Sequence, residues 1–486
     1  MKVSVFTPTP QFENDLMDAV RIFIGSAESL SNQEGGDMTL RHEEHVEGDV
    51  RHLTITISGK YAGSASRTEK VLSEALLDKR MHKRQMKNCA YEVMKKATAF
   101  HPPWGSLTGI RPTRLLYMDM EKGRTLEDAA SHLMQDFDVL PEKASLLSQV
   151  VRTQQTLPDQ QMGEIDLYVG IPFCVSRCAY CSFLSGEVGS GKLLSPYTDA
   201  LCREIEAVIE FVKQYGLSPR AFYMGGGTPT SLPAPLLKKV LDTAKPLLDK
   251  CREITVEAGR PDTIDEDKLL VIRDAGAHRI SVNPQTMHEE TLERIGRRHT
   301  TRQTENAFHL ARKVGFRDIN MDLIAGLPGE DADMFAKTLA WLHELAPESM
   351  TVHTLCIKRS SLLHLWEHIL PRGDMVADMV RQGREEAARG GMQPYYLYRQ
   401  KYMAGNLENV GYALPGCESL YNIGMMEETA NVLAMGAGAI SKRVNTRLGL
   451  IRRAPNVINI EQYIDRVEEM IQRKNKLLLE NMHNEV

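Results

Sequence analysis

The feature that most constrains the fold is a regular alternation of apolar strand-like runs and amphipathic helical stretches between residues 165 and 355. Such alternation is typical of an α/β chain whose parallel strands are joined by right-handed helical crossovers. Six units are too few to close an eight-stranded barrel, so the pattern predicts an open, curved (β/α)6 partial barrel of the TIM type. The predicted strands are 165–171, 221–224, 253–257, 279–283, 318–324 and 349–355, and the predicted helices are 196–215, 236–248, 265–275, 303–314 and 334–345.

The periodicity also predicts three domains: an N-terminal α+β domain over 1–155, the barrel core over 160–370, and a C-terminal α/β extension over 371–486 that covers the barrel mouth. No role for the N-terminal domain follows from its sequence. Its predicted elements are strands at 2–6, 38–46 and 52–58, and helices at 12–24, 68–99, 125–137 and 142–154. Those of the extension are a helix at 375–389, a glycine-rich strand at 432–441 and a final helix at 460–480.

Three of the eight cysteines, Cys174, Cys178 and Cys181, fall in one short loop directly after the first predicted strand. Three thiolates in a loop can ligate three irons of a cubane cluster and leave the fourth iron open. Structural zinc is the first alternative, but it needs a fourth ligand, and Cys202 falls in an apolar helical pattern. A redox dithiol of Cys178 and Cys181 is the second alternative, and it leaves Cys174 without a role.

Polar residues follow the next predicted strands. Three glycines, 225–227, and Thr228 end the second strand, and Glu257, Gln285 and Asp322 stand at the ends of the third, fourth and fifth. Missing side chains let backbone groups approach a ligand closely, and a carboxylate can accept both hydroxyls of a ribose. Each feature alone has a simpler interpretation as a tight turn or a solvated loop residue. Because strand ends of a parallel barrel share one edge, together they predict a ligand site.

The CxxxCxxC spacing with Tyr180 before the third cysteine resembles the radical S-adenosylmethionine (SAM) superfamily. Within it, Tyr168, Pro172, Phe173 and the segments 225–230 and 322–328 resemble the oxygen-independent coproporphyrinogen III oxidases, over about residues 165–445. The chain departs from that pattern at Gly170, where the oxidases have histidine, and in a longer stretch after Glu257. These departures, with the turn-rich segment 107–112, resemble the longer HemZ-like branch of coproporphyrinogen dehydrogenases.

The resemblance implies the radical SAM partial barrel and two cofactors, a [4Fe–4S] cluster and SAM. It implies that Cys174, Cys178 and Cys181 ligate the cluster and that SAM binds the open iron. The residues it assigns to SAM or its pocket are Tyr168, Tyr180, Gly226, Gly227, Thr228, Glu257, Gln285, Arg297 and Asp322, with Ile440 near the barrel mouth; Tyr168 is also the candidate catalytic residue.

The activity that the resemblance implies is oxidative decarboxylation of coproporphyrinogen III to protoporphyrinogen IX in haem biosynthesis. Reductive cleavage of SAM gives a 5′-deoxyadenosyl radical, which removes a β-hydrogen from a propionate, and loss of carbon dioxide leaves a vinyl group. The partners implied are a tetrapyrrole with propionate side chains and a small electron donor of the flavodoxin or ferredoxin type. The cationic residues that are candidates for binding the propionates are Lys358, Arg359, Arg399, Lys442 and Arg443. Each of them can also be interpreted as an ordinary charged surface residue.

Two other functions stay open, a haem chaperone of the same family and an iron–sulfur electron carrier. The chaperones resemble one another in a His-Asn-x-x-Tyr-Trp motif, whose histidine could ligate haem iron. This chain has Glu408, Asn409, Tyr412 and Ala413 at the corresponding positions, with a carboxylate where the histidine would be.

Composition excludes several classes of partner. A net charge of −5 over 486 residues gives no basic field for nucleic acid. No apolar run approaches the ~18 residues of a membrane span, and the first residues do not form a secretory signal. We therefore predict a cytoplasmic protein without membrane or nucleic-acid partners. A glycine-rich segment at 186–192 is not a phosphate-binding loop, because Leu193 stands where Ser or Thr would hold magnesium.

Overall fold

The computed structural model describes residues 1–25, 27–109, 111–182, 186–358, 360–365, 371–401, 403–446 and 450–479. The chain divides into two compact units. The first comprises Met1–Ser148 and Arg399–Leu407, and the second comprises Gln149–Tyr398 and Glu408–Val486. None of the described helices is both long and apolar enough to cross a membrane.

The first unit contains a five-stranded sheet in the order β2-β1-β3-β4-β5. Strand β1 pairs in parallel with both neighbours, and β3, β4 and β5 form an antiparallel meander. Side chains such as Val3, Leu40 and Met86 form its core. Its elements are β1 (Lys2–Phe6), α1 (Glu13–Ile24), β2 (Glu28–Ser31), β3 (Met38–Glu47), β4 (Val50–Gly59), β5 (Gly63–Lys70), α2 (Ala75–Thr98), α3 (Thr113–Met120), α4 (Leu126–Phe137) and α5 (Pro141–Gln155), with the division between the units falling inside α5.

The prediction of one helix over 68–99 is wrong at its start. Residues 68–70 belong to β5, and the helix α2 begins at Ala75. Only Ala65 and Glu69 of β5 are buried, so this strand carries no apolar alternation in the sequence. Cross-strand hydroxyl pairs such as Thr54 with Ser66, at 2.9 Å, accompany its pairing with β4.

The second unit contains the predicted alternation of strands and helices. Strands β6, β9, β10, β11, β12 and β13 pair in parallel in this order, as an α/β partial barrel requires. The elements are β6 (Glu164–Ile171), β7 (Phe173–Cys174), β8 (Gly186–Glu187), α6 (Leu194–Gln214), β9 (Ser218–Gly226), α7 (Ala234–Leu248), β10 (Glu253–Gly259), α8 (Glu266–Asp274), β11 (Arg279–Val282), α9 (Glu289–Arg294), α10 (Thr301–Val314), β12 (Asp318–Ala325), α11 (Ala332–Leu345) and β13 (Ser349–Thr354).

Local sequence explains where several of these helices begin. The side chains of Asp265, Thr300 and Asp331 each accept the backbone N–H three residues ahead, at the starts of α8, α10 and α11. Thr300 and Gln303 complete a reciprocal capping box. Strand residues are buried almost throughout, as in β11, where all four are buried, because helices cover the outer face of a parallel barrel and side chains of neighbouring strands fill the inner face.

The predicted C-terminal domain over 371–486 is not a separate compact unit. Its strands extend the barrel sheet into eleven strands at both edges, since exposed edges of a sheet accept further strands. Strands β15 and β14 add antiparallel beside β13, β16 adds in parallel beside β6, and β17 and β18 follow antiparallel. The elements are α12 (Leu362–Leu365), α13 (Gly373–Arg389), β14 (Gln393–Tyr398), β15 (Asn409–Ala413), α14 (Leu420–Glu427), β16 (Asn431–Met435), β17 (Ile440–Asn445), β18 (Leu450–Pro455), α15 (Ile460–Asp465) and α16 (Val467–Leu479).

The predicted single strand at 432–441 is in fact the hairpin of β16 and β17. The chain reverses between them at Gly436 and Gly438, which have φ of 103° and 71°. The predicted helix at 460–480 is divided at Arg466 into α15 and α16, and its last predicted residue lies outside the described part of the chain.

Candidate functional site

The three cysteines lie in a loop that begins at the carboxyl end of β6, where the short strands β7 and β8 pair in parallel. The backbone N–H of Cys181 donates to the carbonyl of Cys178 at 3.1 Å, which closes a turn between them. The N–H of Ala179 donates to the carbonyl of Ile295 at 2.8 Å. Backbone hydrogen bonds therefore fix the course of the loop around Cys174, Cys178 and Cys181.

The position of Cys202 bears on the zinc alternative, because a structural zinc ion needs a fourth protein ligand. Cys202 lies on α6 and contacts Thr243 of α7, with 3.4 Å between Oγ1 and Sγ. It is therefore engaged between two helices of the barrel, and this contact favours a cluster held by the three loop cysteines over structural zinc.

Two arginines supply positive charge beside the most buried of the three thiols. Cys178 is 9% exposed, and Nη1 of Arg260 lies 3.7 Å from its sulfur. Arg297 is also next to it: burial alone would lower the pKa of Arg297, but Tyr180 and Cys178 outweigh burial and raise it. Positive charge of this kind stabilises thiolates and tunes an iron–sulfur cluster.

Strand β9 ends in the predicted triple glycine, which packs directly against the cysteine loop. The N–H groups of Gly227 and Thr228 donate to the carbonyls of Ile171 and Phe173, each at 2.8 Å. A Cβ at Gly227 would lie 2.6 Å from the Phe173 carbonyl oxygen. Position 227 therefore requires glycine because of the protein's own backbone packing, whether or not a ligand also approaches it.

Thr228 and Ile440 lie at the same edge of the sheet as the cysteine loop. The hydroxyl of Thr228 is 3.5 Å from the sulfur of Cys174. Ile440 begins β17, which runs antiparallel to β16 and therefore starts at the edge where β6 ends. Ile440 is 46% exposed, and its contact with the cofactor remains a prediction.

Glu257, at the end of β10, is held by the neighbouring strand. The Gly226 N–H and the Tyr223 hydroxyl hydrogen-bond to its carboxyl group. A Cβ at Gly225 would lie 2.5 Å from Glu257 Oε2, so Gly225 makes room for this carboxyl group. Burial, and then the charge of Asp322, raise the pKa of Glu257 to about 8 despite those hydrogen bonds.

Asp322, on β12, has the opposite shift. Burial alone would raise its pKa, but hydrogen bonds from His353, Asn320 and Thr351 outweigh burial and hold the pKa below its usual value. Asn320 Nδ2 donates to Oδ1 at 2.8 Å, and His353 Nε2 lies 3.8 Å from Oδ2. One neutral and one ionised carboxyl group therefore face the same region at neutral pH.

Gln285, just after β11, and Arg297, between α9 and α10, are two further residues predicted for the cofactor pocket. Gln285 has φ of 70°, and its N–H donates to the Asp322 carbonyl at 3.0 Å. A non-glycine residue with positive φ is uncommon and concentrates at functional sites. Arg297 is 7% exposed, donates through Nη1 to the Asn283 carbonyl, and leaves its Nε without a hydrogen-bond partner among the described residues.

Tyr168 belongs to a stack of three tyrosines at the carboxyl half of the sheet. The rings of Tyr223 and Tyr421 lie 4.6 Å apart between centroids at 17°, and Tyr168 lies 6.2 Å from Tyr421. Burial raises the pKa of Tyr168, so its hydroxyl remains protonated. Tyr180, by contrast, packs partly buried against an apolar cluster that includes Ile324 and hydrogen-bonds to Cys178.

Three residues of this site were not predicted from the sequence: Arg260, Tyr421 and His353. Arg260 forms a paired contact with Asp262, with N–O distances of 3.1 and 2.9 Å, and donates to the Ser176 carbonyl. It lies in the stretch after Glu257 that departs from the oxidase pattern, and that departure was the available signal.

The five cationic residues predicted as candidates for binding propionates lie in different parts of the chain. Lys358 is exposed, Lys442 and Arg443 lie on β17, and Arg359 lies outside the described residues. Arg399 is wrong as a candidate, because it is 3% exposed within the first unit. Its guanidinium donates to the carbonyls of residues 107, 406 and 407 and covers the ring of Trp104 at 5.1 Å.

The residues present fit an iron–sulfur cluster with an adenosyl ligand. Three thiols lie in one loop, Arg260 and Arg297 lie beside Cys178, and the buried Nε of Arg297 has no hydrogen-bond partner in the described part of the chain, so it is available to an anionic group. A backbone edge of glycines and two carboxyl groups lie on the adjacent strand ends, where hydroxyl and amino groups of a ligand would be recognised.

A partial (β/α)6 barrel with three cysteines at the end of its first strand defines the radical SAM class, and residues 168–342 match the Radical SAM superfamily profile. The chain is 38% identical over 438 residues to the oxygen-independent coproporphyrinogen-III oxidase-like protein HemZ of Bacillus subtilis (strain 168), and this alignment covers 87% of each chain. It is 30% identical over 308 residues to the heme chaperone HemW of the same organism, covering 62% of this chain and 76% of HemW.

The fold is similar to that of coproporphyrinogen III oxidase (HemN) from Escherichia coli, whose structure is described as a radical SAM enzyme. The TM-score is 0.50 at 23% sequence identity, over 68% of this chain and 74% of that one. The chain therefore belongs to the radical SAM superfamily and, within it, to the family of HemZ-like, oxygen-independent coproporphyrinogen III oxidase-like proteins.

Proposed function

We propose that the chain catalyses the oxygen-independent oxidative decarboxylation of two propionate side chains of coproporphyrinogen III, giving protoporphyrinogen IX. The observation that carries this proposal is the shared edge of the sheet at which the cysteine loop, the triple glycine and Glu257 meet, in a chain 38% identical to HemZ over 87% of its length. In this assignment Cys174, Cys178 and Cys181 ligate a [4Fe–4S] cluster.

The remaining residues bind and orient SAM and exclude water from the site. Glu257 accepts hydrogen bonds from ribose hydroxyls, the Gly226 and Gly227 backbone borders the ligand, and the free Nε of Arg297 takes an anionic group. Tyr168, protonated and stacked on its neighbours, positions the ligand from the first strand. When bound and reduced, the cluster and SAM supply a 5′-deoxyadenosyl radical, which takes a hydrogen atom from an unactivated carbon.

The reaction balances with one external electron acceptor per propionate. Loss of a β-hydrogen atom to the adenosyl group leaves a substrate radical. Release of carbon dioxide and of one electron from that radical forms the vinyl double bond. A small flavodoxin- or ferredoxin-type protein is the electron donor we propose for the cluster, because this step needs a low-potential electron.

The chaperone alternative is less well supported at the position of its motif. Glu408 replaces the histidine and is fully buried. The Asn409 side chain accepts the Thr354 N–H at 2.8 Å, and the Thr354 hydroxyl donates to the Glu408 carbonyl. These hydrogen bonds join β15 to β13, so Asn409 has a structural role that does not require haem.

The test is anaerobic incubation of the cluster-reconstituted protein with SAM, a reductant and coproporphyrinogen III. We expect 5′-deoxyadenosine, carbon dioxide and a vinyl product, measured by chromatography and mass spectrometry after oxidation of the pigment. Cys178→Ala should abolish the cluster and all three products, whereas the matched Cys202→Ala, a thiol on α6, should retain them.

Each alternative predicts a different result of the same assay. Stoichiometric haem transfer without any vinyl product would favour the chaperone. Wild-type protein that holds iron but never forms 5′-deoxyadenosine would favour an electron carrier. Loss of iron in Cys202→Ala with retention in Cys178→Ala would overturn the cluster assignment.

A further inference from the structure

A second group of metal-ligating side chains lies in the first unit, within its own sheet and helix layer. His42 and Glu44 are two residues apart on β3 and therefore point to the same face of the strand. That face is covered by α2, which carries His82. His42 is 2% exposed and His82 is 6% exposed, so two histidines are buried here beside one carboxylate.

The three side chains converge on a small volume. Nε2 of His42 lies 3.4 Å from Oε2 of Glu44, and Nε2 of His82 lies 2.7 Å from the same oxygen. All three ligand atoms lie within 4.8 Å of one another. In tetrahedral zinc sites, metal–ligand distances of about 2.0–2.2 Å put ligand atoms roughly 3.3–3.6 Å apart. Small side-chain adjustments would therefore seat an ion among them.

The ring nitrogen of His42 on the far side from Glu44 has a hydrogen-bond partner of its own. Nδ1 of His42 lies 2.9 Å from the Thr7 hydroxyl, which also accepts the Thr9 N–H at 3.1 Å. A hydroxyl can accept a proton from Nδ1, and for a metal-binding His42 we assign the proton to Nδ1. In this tautomer the lone pair of Nε2 points toward Glu44 and His82.

Nε2 of His42 is the unsatisfied atom of this group. It is buried and has no hydrogen-bond partner among the described residues, and Oε2 of Glu44 lies 3.4 Å away. With the proton on Nδ1, two buried acceptors face each other, which is costly unless a cation lies between them. The Thr7 hydroxyl at Nδ1 would hold the imidazole in this orientation, as the hydrogen-bond partners behind metal-bound histidines do.

We propose that His42, Glu44 and His82 bind a divalent transition-metal ion of the zinc type. Two imidazoles and one carboxylate suit such an ion better than magnesium or calcium, which prefer oxygen ligands. The Glu44 side chain is 19% exposed, which gives water access to a fourth coordination position. The ion ties α2 to β3, because its ligands come from both elements.

The test uses the full chain with Cys174, Cys178 and Cys181 all replaced by alanine, so that the cysteine loop cannot bind the probe. Zn²⁺ is measured by equilibrium dialysis with metal analysis, and Co²⁺ by its visible d–d bands. We expect one ion per chain, cobalt bands without a thiolate charge-transfer band, and a higher unfolding temperature with Zn²⁺, since ligand binding stabilises the folded state.

Substitutions of the proposed ligands test whether the ion binds at the site of His42, Glu44 and His82. In the same background, His42→Gln and Glu44→Gln should each weaken Zn²⁺ binding by at least ~100-fold, and Thr7→Val by roughly 10-fold through the lost support. The matched control is His45→Gln, an exposed histidine on β3 that stacks on His52. Circular dichroism without metal separates loss of the ligand from loss of the fold, and Glu44→Gln, at the partly exposed position, covers the case in which His42→Gln does not fold. Absence of bound zinc in the parent protein, or unchanged binding in folded His42→Gln or Glu44→Gln protein, would overturn the proposal.

Discussion

Two carboxyl groups at the strand ends differ in their ionisation because their surroundings differ. Burial, and then the negative charge of Asp322, raise the pKa of Glu257 to about 8. Burial acts in the same direction on Asp322, but the interactions with His353, Asn320 and Thr351 outweigh it and lower the pKa. The neutral form of Glu257 at pH 7 is a property of the protein without ligand, and hydroxyl donors from a ligand favour the carboxylate.

We therefore expect SAM to bind more tightly as the pH rises through 8. If only the ionised form of Glu257 accepts the ribose, affinity should increase about 25-fold between pH 6.5 and 8.5, given a pKa near 8. Calorimetric titration of the cluster-loaded protein measures this. Glu257→Gln should bind SAM more weakly and lack this part of the pH dependence, and an identical pH profile in the variant would contradict the assignment.

The same group affects folding stability with a defined sign. Its pKa is higher in the folded chain than the model-peptide value of 4.5, so the folded state binds more protons between pH 4.5 and about 8. Its contribution to stability is fully present below pH 4.5 and is lost as pH rises through 8. Glu257→Gln should flatten this decline in urea titrations across that range.

At the scale of elements, the end of β9 sets the distance between the cysteine loop and β10. Gly225 permits the close approach of Glu257 and Tyr223, because a Cβ there would lie 2.5 Å from the carboxyl group and 2.8 Å from the ring. Gly227, two residues further on, packs against the backbone of Phe173 at the start of the cysteine loop. One strand end therefore positions two parts of the site.

Gly225→Ala should separate SAM binding from cluster binding. The added methyl group displaces Glu257, so we expect SAM affinity to fall at least ~10-fold and stability by about 1–3 kcal/mol. Iron content should be unchanged, because a Cβ at Gly225 would meet Glu257 and Tyr223, whereas a Cβ at Gly227 would meet the backbone of Phe173 at the start of the cysteine loop. Gly109→Ala is the control, because a Cβ there meets no atom within 4 Å. Wild-type SAM affinity in Gly225→Ala would refute this role.

At the scale of the whole molecule, the second unit is joined across its length by a buried polar network. Glu204 of α6 accepts hydrogen bonds from Tyr463 at 2.6 Å, Asn456 at 2.9 Å and the Gly436 N–H at 2.7 Å. Lys474 of α16 is fully buried and donates to both Glu204 and Asn456. The last helix is thus anchored to the first helix of the barrel.

Lys474→Met should lower the stability of the second unit by about 3–5 kcal/mol, because it leaves a buried carboxylate without its cation. Urea unfolding followed by fluorescence measures the loss. Lys245→Met removes a surface ion pair with Asp249 and should cost less than ~1 kcal/mol. Combining Lys474→Met with Glu204→Gln should recover part of the loss, and equal stability of Lys474→Met and Lys245→Met would contradict the role of the network.

Local patterns in the sequence are sufficient to predict the alternation of parallel strands and helices and the cysteine loop. Hydrophobic periodicity is local, so apolar runs such as 165–171 and 318–324 predict strands whatever lies elsewhere in the chain. Spacing of ligands within one loop is local as well, which is why Cys174, Cys178 and Cys181 could be selected directly. The strand ends bearing Glu257 and Asp322 followed from the rule that parallel strands share an edge.

The distant segments that complete these local patterns are identified by the packing of the folded chain. β16 joins the sheet beside β6, although some 260 residues separate them, because an unpaired strand edge accepts any strand of suitable register. Tyr421 reaches the tyrosine stack from α14, and Arg399 covers Trp104 instead of binding a substrate. His42, Glu44 and His82 meet only where α2 crosses β3. Such contacts depend on packing between elements, which periodicity within one element does not encode.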